Sequence, residues 1–230
     1  MTEQQDQLKA AAARAAVELV EDGMLLGLGT GSTAALFIDF LGERVRAGLQ
    51  VTAIATSRRS HEQASALGIP MLEELRTPLD LAVDGADEID PDLNLLKGRG
   101  GALVREKLVA VAARRFVVIA DEGKLVDRLG AGEGVVPVEV LPFLWSETVR
   151  RLEALAPLNW TLRGGLQSPF VSDNGNLVVD LQIPGGLEEP AAFGAQLKAV
   201  TGVVEHGIFP GLTTACLVAG AAGVRVMGDL

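Results

Sequence analysis

Four short runs in the first half of this chain are apolar at nearly every position: Met24–Leu28, Val51–Ala55, Leu79–Val83 and Phe116–Ala120. A strand with one wet face alternates polar and apolar residues, so strands apolar throughout must be covered on both faces. Segments with helical spacing separate them. Residues 4–20 have that spacing and stop at Gly23, and Thr33–Ala47 places Leu36, Phe37, Phe40, Leu41 and Val45 on one face. Arg58–Leu67 closes at Gly68, and Ala102–Ala113 follows a polar loop after the third run. This alternation predicts an α/β fold, a Rossmann-like parallel sheet with helices on both faces.

The character changes at Gly130–Gly134, a glycine-rich stretch that reads as a boundary. Past it come strand Val135–Val140, helix Phe143–Leu155, strands Leu158–Leu162 and Leu177–Ile183, helix Ala191–Val200 and strand Val203–Ile208. This βαββαβ order predicts a smaller ferredoxin-like α+β domain. Pro169–Ser172 is expected to form a hairpin with Leu177–Ile183 across the turn Asp173-Asn174-Gly175-Asn176. The last apolar segment, Thr213–Met227, has no partner in that unit and is expected to return to the first sheet. The expected domains are therefore residues 1–130 with 209–230, and residues 131–208.

Charge narrows the function. Thirty acidic side chains against 20 basic ones leave a net charge of −10 over 230 residues, and no run of Lys and Arg makes a basic patch. That disfavours nucleic acid and anionic membranes as partners. It does not disfavour a phosphorylated small molecule, which a few placed donors can capture. The single cysteine, Cys216, lies in an apolar run and reads as a buried, inert thiol. The acidic and polar N-terminus lacks a signal-peptide pattern, and no apolar run approaches the roughly 18 residues of a membrane span. The expected compartment is the cytoplasm.

Chemistry-bearing motifs follow the strands. GLGTGST, Gly27–Thr33, lies between the first strand and its helix, where glycines allow close backbone approach and a helix N-terminus offers N–H groups to an anion. Ser32 and Thr33 add hydroxyls, and one of them is a candidate helix cap. No Lys follows the glycines, so this is not a nucleotide-hydrolase P-loop. The segment also fits a dinucleotide fingerprint, but the second strand ends in Thr56-Ser57-Arg58-Arg59, without the acid that holds ribose hydroxyls. Arg58 or Arg59 would suit the 2′-phosphate of NADP.

The third strand runs into Asp84-Gly85-Ala86-Asp87-Glu88-Ile89-Asp90. Its carboxylates are candidates for ligand contact or for Mg²⁺. A solvated acidic turn is the alternative, and it suits Asp90 and Glu88 better than Asp84. Next comes Lys97-Gly98-Arg99-Gly100-Gly101, a second glycine turn entering a helix, now with a cation at its head. In that helix Glu106 has Ala102, Leu103, Val109 and Ala110 three and four positions away, surroundings that suit general-base work. Arg105 and Lys107 have mostly apolar neighbours at the same spacings, so periodicity alone does not choose between a base and a solvated Arg-Glu-Lys face. Lys124 closes the set, after the fourth strand.

GLGTGST, DLAVDGADEID, LLKGRGGALVREK and VVIADEGK, in this order, resemble the A-type ribose-5-phosphate isomerases, and the likeness continues through PVEVLPF, VSDNGNLVVDL and GVVEHGIF. The resemblance implies interconversion of D-ribose 5-phosphate and D-ribulose 5-phosphate through an enediol, in the non-oxidative pentose phosphate pathway, with no cofactor and no metal. It implies Glu106 as the proton-shuttling base, with Asp84, Asp87 and Lys97 as the other catalytic polar groups. Substrate contacts would come from Thr30, Gly31, Ser32, Thr33, Gly85, Ala86, Gly98, Arg99, Gly100 and Lys124, and the chain would be a homodimer or higher homo-oligomer. Arg99 departs from the small or apolar residue expected there. The rival readings are a sugar-phosphate-sensing module and an NADP-dependent oxidoreductase.

Overall fold

The computed structural model describes residues 3–132 and 134–230. Met1 and Thr2 of the polar N-terminus, and Glu133 of the expected boundary, lie outside them. In chain order the elements are α1 (Glu3–Val17), β1 (Leu25–Leu28), α2 (Ser32–Arg46), β2 (Thr52–Ala55), α3 (Arg58–Ala66) and β3 (Leu81–Asp84). Then come β4 (Glu88–Ile89), β5 (Leu95–Leu96), α4 (Leu103–Ala112), β6 (Phe116–Asp121), β7 (Val136–Val140) and α5 (Trp145–Glu153). The chain ends with β8 (Asn159–Leu162), β9 (Leu177–Gln182), α6 (Pro190–Ala199), β10 (Val203–His206), β11 (Ile208–Phe209), β12 (Ala215–Gly220) and β13 (Gly223–Gly228). These form two compact units. One holds the residues up to Ala86 with Arg105–Lys124 and Leu212–Leu230; the other holds Asp87–Val104 and Leu125–Gly211.

The first unit is built on a six-stranded sheet in the order β13-β12-β6-β3-β1-β2, parallel except for the β12–β13 hairpin at its edge. The expected return of the C-terminal segment is therefore made by β12, which pairs parallel with β6. Alternate residues of a strand face opposite sides, and β1 shows why it is apolar throughout. Leu26 and Leu28 join Ala12, Ala13 and Ala16 of α1 and Phe37, Ile38 and Leu41 of α2 in one core cluster. Between them, Gly27 is approached by Val109 of α4 so closely that an added Cβ would lie 2.4 Å from Val109 Cγ1. Cys216 in β12 is fully buried, and burial pushes its thiol pKa up to about 12, which leaves it inert.

In the second unit, β7, β8, β9 and β10 form an antiparallel sheet in the order β10-β7-β9-β8, the ferredoxin-like arrangement. Val138, Val140, Leu162, Val179 and Leu181 of this sheet pack with Leu152 of α5 and Leu197 of α6. The hairpin expected for Pro169–Ser172 is reduced to one bridge, Val171 to Leu177, and β8 is the strand that pairs with β9. A fully buried Glu139 explains the turn beside it. Its Oε1 accepts hydrogen bonds from Ser172 Oγ (2.9 Å), Asn174 Nδ2 (3.1 Å) and Asn176 Nδ2 (2.8 Å). The Asp173–Asn176 segment is thus tied down by side chains, in place of a long strand pair.

Three expectations need correction here. The polar loop expected after the third strand contains the hairpin β4–β5, whose two-residue strands are too short to show a period. The strand expected over Val203–Ile208 breaks at Gly207, and Ile208–Phe209 pairs instead with β5 in a separate three-stranded sheet, order β11-β5-β4. Residues 87–104, 125–130 and 209–211 consequently belong to the second unit, where the expected boundaries put them in the first. The cause is this small sheet together with Glu88, whose Oε2 accepts the Gly130 N–H at 2.6 Å.

Candidate active site

β1, β3 and β6 are parallel neighbours, so the loops leaving their carboxyl ends share one edge of the first sheet. Gly29–Thr33 leaves β1, Gly85 and Ala86 leave β3, and the single turn of 3₁₀ helix Glu122–Lys124 leaves β6, with Lys124 half-buried. Asp84, the last residue of β3, is 2% exposed. Its Oδ1 accepts the N–H groups of Thr30 (3.0 Å) and Gly85 (2.7 Å), while Oδ2 is a buried atom that accepts no hydrogen bond. The Gly29 N–H donates to Val83 O at 2.9 Å, and a Cβ on Gly29 would lie 2.1 Å from Asp84 Oδ1. Glycine is required there because the loop runs directly against the aspartate.

The hydroxyls of this loop divide between two tasks. Thr30 Oγ1 is turned inward, 2.7 Å from Thr56 Oγ1 and donating to Ser57 Oγ at 2.8 Å, while Ser60 Oγ donates to Gly29 O at 2.7 Å. The segment Thr56–Ser57 therefore braces the glycine loop, and Ser57 caps α3 by accepting the Ser60 N–H. Neither Ser32 nor Thr33 caps α2. The N-cap is Gly31, without a side-chain bond, because the helix starts at Ser32 itself. The two hydroxyls make no hydrogen bond to the described chain and stand beside the unsatisfied first-turn N–H groups, a fitting arrangement for an anion.

Glu106 is 4% exposed in the first turn of α4. The buried stripe of this helix runs through Leu103, Glu106, Val109 and Ala110, whereas Arg105 and Lys107 are half-buried on its flanks. Burial thus selects one member of the Arg-Glu-Lys triplet, which spacing alone left undecided.

The acids of the 84–90 segment do not act as one cluster. Asp87 Oδ2 accepts the Arg99 N–H at 2.9 Å. Glu88 and Asp90, which the alternative of a solvated turn suits better than Asp84, are buried at 9% and 7% exposure. Each satisfies backbone that no ladder reaches: Glu88 takes the Gly130 N–H, and Asp90 takes the N–H groups of Asp92 and Asn94. No group of three or more His, Cys, Asp or Glu side chains able to hold a metal ion occurs among the described residues.

In the second unit, Lys97 is 2% exposed, with its ammonium 5.6 Å from the centroid of the Phe209 ring. Its backbone N–H donates to Gly207 O at 2.8 Å. The following turn closes through Gly101 N–H to Gly98 O at 2.9 Å, leaving Arg99 and Gly100 exposed. Gly101 has φ +81 and stands against Phe170, so a Cβ there would meet Phe170 Cζ at 2.3 Å. Two features of the units were not singled out from the sequence. Lys9 is buried in α1 at i−3, i−4 and i−7 from the buried Ala12, Ala13 and Ala16, a helical signal that could have revealed it. Arg163, which bonds the carbonyls of Gly98 and Arg99, carries no such signal.

Comparison with known proteins gives a consistent result. The model of the family "Ribose 5-phosphate isomerase A (phosphoriboisomerase A)" matches residues 52–223. The ribose-5-phosphate isomerase A of Nitrobacter hamburgensis is 48% identical over 96% of this chain and 97% of its own. A probable chloroplastic ribose-5-phosphate isomerase of Arabidopsis thaliana is 45% identical over 97% of this chain and 83% of its own. Among solved structures, the enzyme of Methanocaldococcus jannaschii superposes with a TM-score of 0.92 at 38% identity, covering 98% of this chain and 100% of that one. A D-ribose-5-phosphate isomerase in complex with phospho-erythronic acid gives a TM-score of 0.92 at 36% identity, with both chains covered completely.

Proposed function

The chain belongs to the ribose 5-phosphate isomerase A family and interconverts D-ribose 5-phosphate and D-ribulose 5-phosphate, and we propose that it does so through an enediol with Glu106 as the base. The observation that carries this assignment is the burial of Glu106. A carboxylate inside a helix stripe is costly, and this one occupies a core position that Leu or Ala would fill more cheaply. Aldose–ketose isomerisation supplies the reason to keep it. The proton on C2 of the aldose must be taken by a base and returned to C1, and one positioned carboxylate can do both.

Other groups take the remaining tasks. As the proton leaves C2, the carbonyl oxygen on C1 becomes negative, and Lys97 with the N–H groups of the Gly98–Gly100 turn supplies positive charge and donors to it. Asp84 passes protons among the sugar hydroxyls and assists ring opening, with Asp87 as a second polar contact. The phosphate is held by Thr30–Thr33 at the start of α2, and Gly85, Ala86 and Lys124 complete the substrate contacts. Arg99 is an added cation at the turn. Phospho-erythronic acid, bound by a relative of known structure, supports the enediol reading, because its carboxylate carries charge where an enediolate would. Proton transfer of this kind needs neither metal nor nucleotide.

The test is direct. The purified protein is incubated with ribose 5-phosphate in D₂O containing EDTA, and the products are followed by NMR. Ribulose 5-phosphate carrying solvent deuterium at C1 is the expected result; absence of the ketose overturns the reaction assignment. We further propose that the protein is cytoplasmic and a homodimer or higher homo-oligomer. No helix among the described residues is long and apolar enough to cross a membrane. Sedimentation equilibrium is expected to return at least twice the chain mass of 24.0 kDa, and a monomer at assay concentration would contradict it.

A further inference from the structure

We infer that Arg163, held by Asp180 and Phe170, is the positioning residue of the Lys97–Gly101 turn, and that it sets the direction of the Gly100 N–H as a donor to the substrate. The guanidinium makes a two-pronged pair with Asp180, Nε to Oδ2 at 2.9 Å and Nη2 to Oδ1 at 2.5 Å, with both side chains about one-sixth exposed. Its remaining nitrogen, Nη1, donates to Gly98 O at 2.8 Å and to Arg99 O at 3.2 Å. One planar group therefore binds a carboxylate on one side and two consecutive carbonyls on the other. The short ammonium of a lysine cannot reproduce that fork.

Those two carbonyls matter because of peptide planarity. Gly98 O shares a plane with the Arg99 N–H, and Arg99 O shares one with the Gly100 N–H; within each trans plane the two groups point in opposite directions. Anchoring both carbonyls on Arg163 turns both N–H groups the other way. The Arg99 N–H is used inside the protein, on Asp87 Oδ2 at 2.9 Å. The Gly100 N–H makes no hydrogen bond to the described chain, and its residue is exposed. Arg163 thus fixes an unspent donor in the turn that carries Lys97.

Phe170 completes the device. Its N–H donates to Arg163 O at 2.8 Å, and its ring centroid is 5.7 Å from the guanidinium carbon. The same ring presses on Gly101, where only glycine fits. Residues 163–170 therefore double back so that one aromatic ring contacts both the arginine and the far end of the turn. Gly98, Gly100 and Gly101 would otherwise leave this backbone free to sample many conformations.

The inference rests on the reading that the Lys97–Gly101 turn serves the reacting oxygen, and a Lys97→Met enzyme tests that reading separately. Arg163→Lys is expected to melt like the wild type, to lose about 10²-fold in kcat through a misplaced donor, and to keep its KM for ribose 5-phosphate within about twofold. Phospho-erythronic acid should bind it more weakly in proportion to the loss in kcat/KM, whereas inhibition by inorganic phosphate should be unchanged. In Arg163→Ala, millimolar guanidinium should restore part of kcat and urea should not. Should Arg163→Ala fail to fold, Arg163→Lys and Asp180→Asn carry the same test. Folded variants with wild-type kcat, or losses that follow the unfolded fraction with no split between the two inhibitors, overturn the positioning role. Wild-type kcat in Lys97→Met overturns the reading of the turn, and this inference with it.

Discussion

Glu106→Gln is expected to fold as the wild type does and to lose about 10²–10⁴-fold in kcat. The amide has the shape and volume of the carboxyl group, so the buried stripe of Leu103, Val109 and Ala110 keeps its packing. What the amide lacks is the ability to accept the C2 proton and hand it on. KM should change far less than kcat, because the phosphate contacts proposed for Thr30–Thr33 lie on a different element. Exchange of the C2 proton with D₂O should disappear together with turnover. Glu106→Asp separates chemistry from position: it retains the carboxylate but withdraws it by one methylene, for an expected loss on the order of 10²-fold. Wild-type kcat in Glu106→Gln would remove this residue from the mechanism.

Gly29→Ala should damage both stability and catalysis, although it adds one methyl group. The new Cβ would stand 2.1 Å from Asp84 Oδ1, 2.3 Å from its Cγ and 2.6 Å from its Cα. A rotamer change could clear the carboxylate but not the Cα, so the loop must separate from β3. That movement breaks the Gly29 N–H bond to Val83 O and the Thr30 N–H bond to Asp84. Overpacking of this kind costs about 1–3 kcal/mol, and for a chain of this size each kcal/mol lowers Tm by about 2–4 °C. The displaced aspartate should lower kcat by roughly 10²-fold. Gly85→Ala is the control for stability: its nearest neighbour would be Ile119 O at 3.9 Å, an ordinary contact, so its Tm should stay at the wild-type value. An unchanged Tm and kcat in Gly29→Ala would show that the loop is not held against Asp84 in solution.

The contrast between these glycines shows what can be seen in a sequence. GLGTGST marks a tight loop before a helix because glycine and hydroxyl residues have local conformational meaning. It does not say that Gly29 faces a carboxylate 55 positions away, or that Thr30 spends its hydroxyl on Thr56 and Ser57 while Ser32 and Thr33 keep theirs. The acids from Asp84 to Asp90 look alike in composition. They differ only through partners such as Gly130 and Arg99, which no period relates to them.

Glu106 lies between these cases. Its apolar neighbours at three and four positions were visible, but so were those of Arg105 and Lys107, and only packing selects the buried member of three adjacent residues on a helix.

Secondary elements and motif positions were legible because their causes are local: strand and helix periods, glycine stops and helix-start chemistry act within a few residues. The return of Thr213–Met227 to the first sheet was legible for a related reason, since an apolar strand without a partner must find one. Tertiary structure alone settled the three-stranded sheet that draws residues 87–104 into the second unit, because two-residue strands have no period to detect. It alone settled the burial of Glu88 and Asp90, and the hold of Arg163 on Gly98 and Arg99, 65 and 64 positions away. A buried polar group is satisfied by whatever donor or acceptor the folded chain brings within about 3 Å of it, and that partner is a property of three-dimensional proximity which no local pattern encodes.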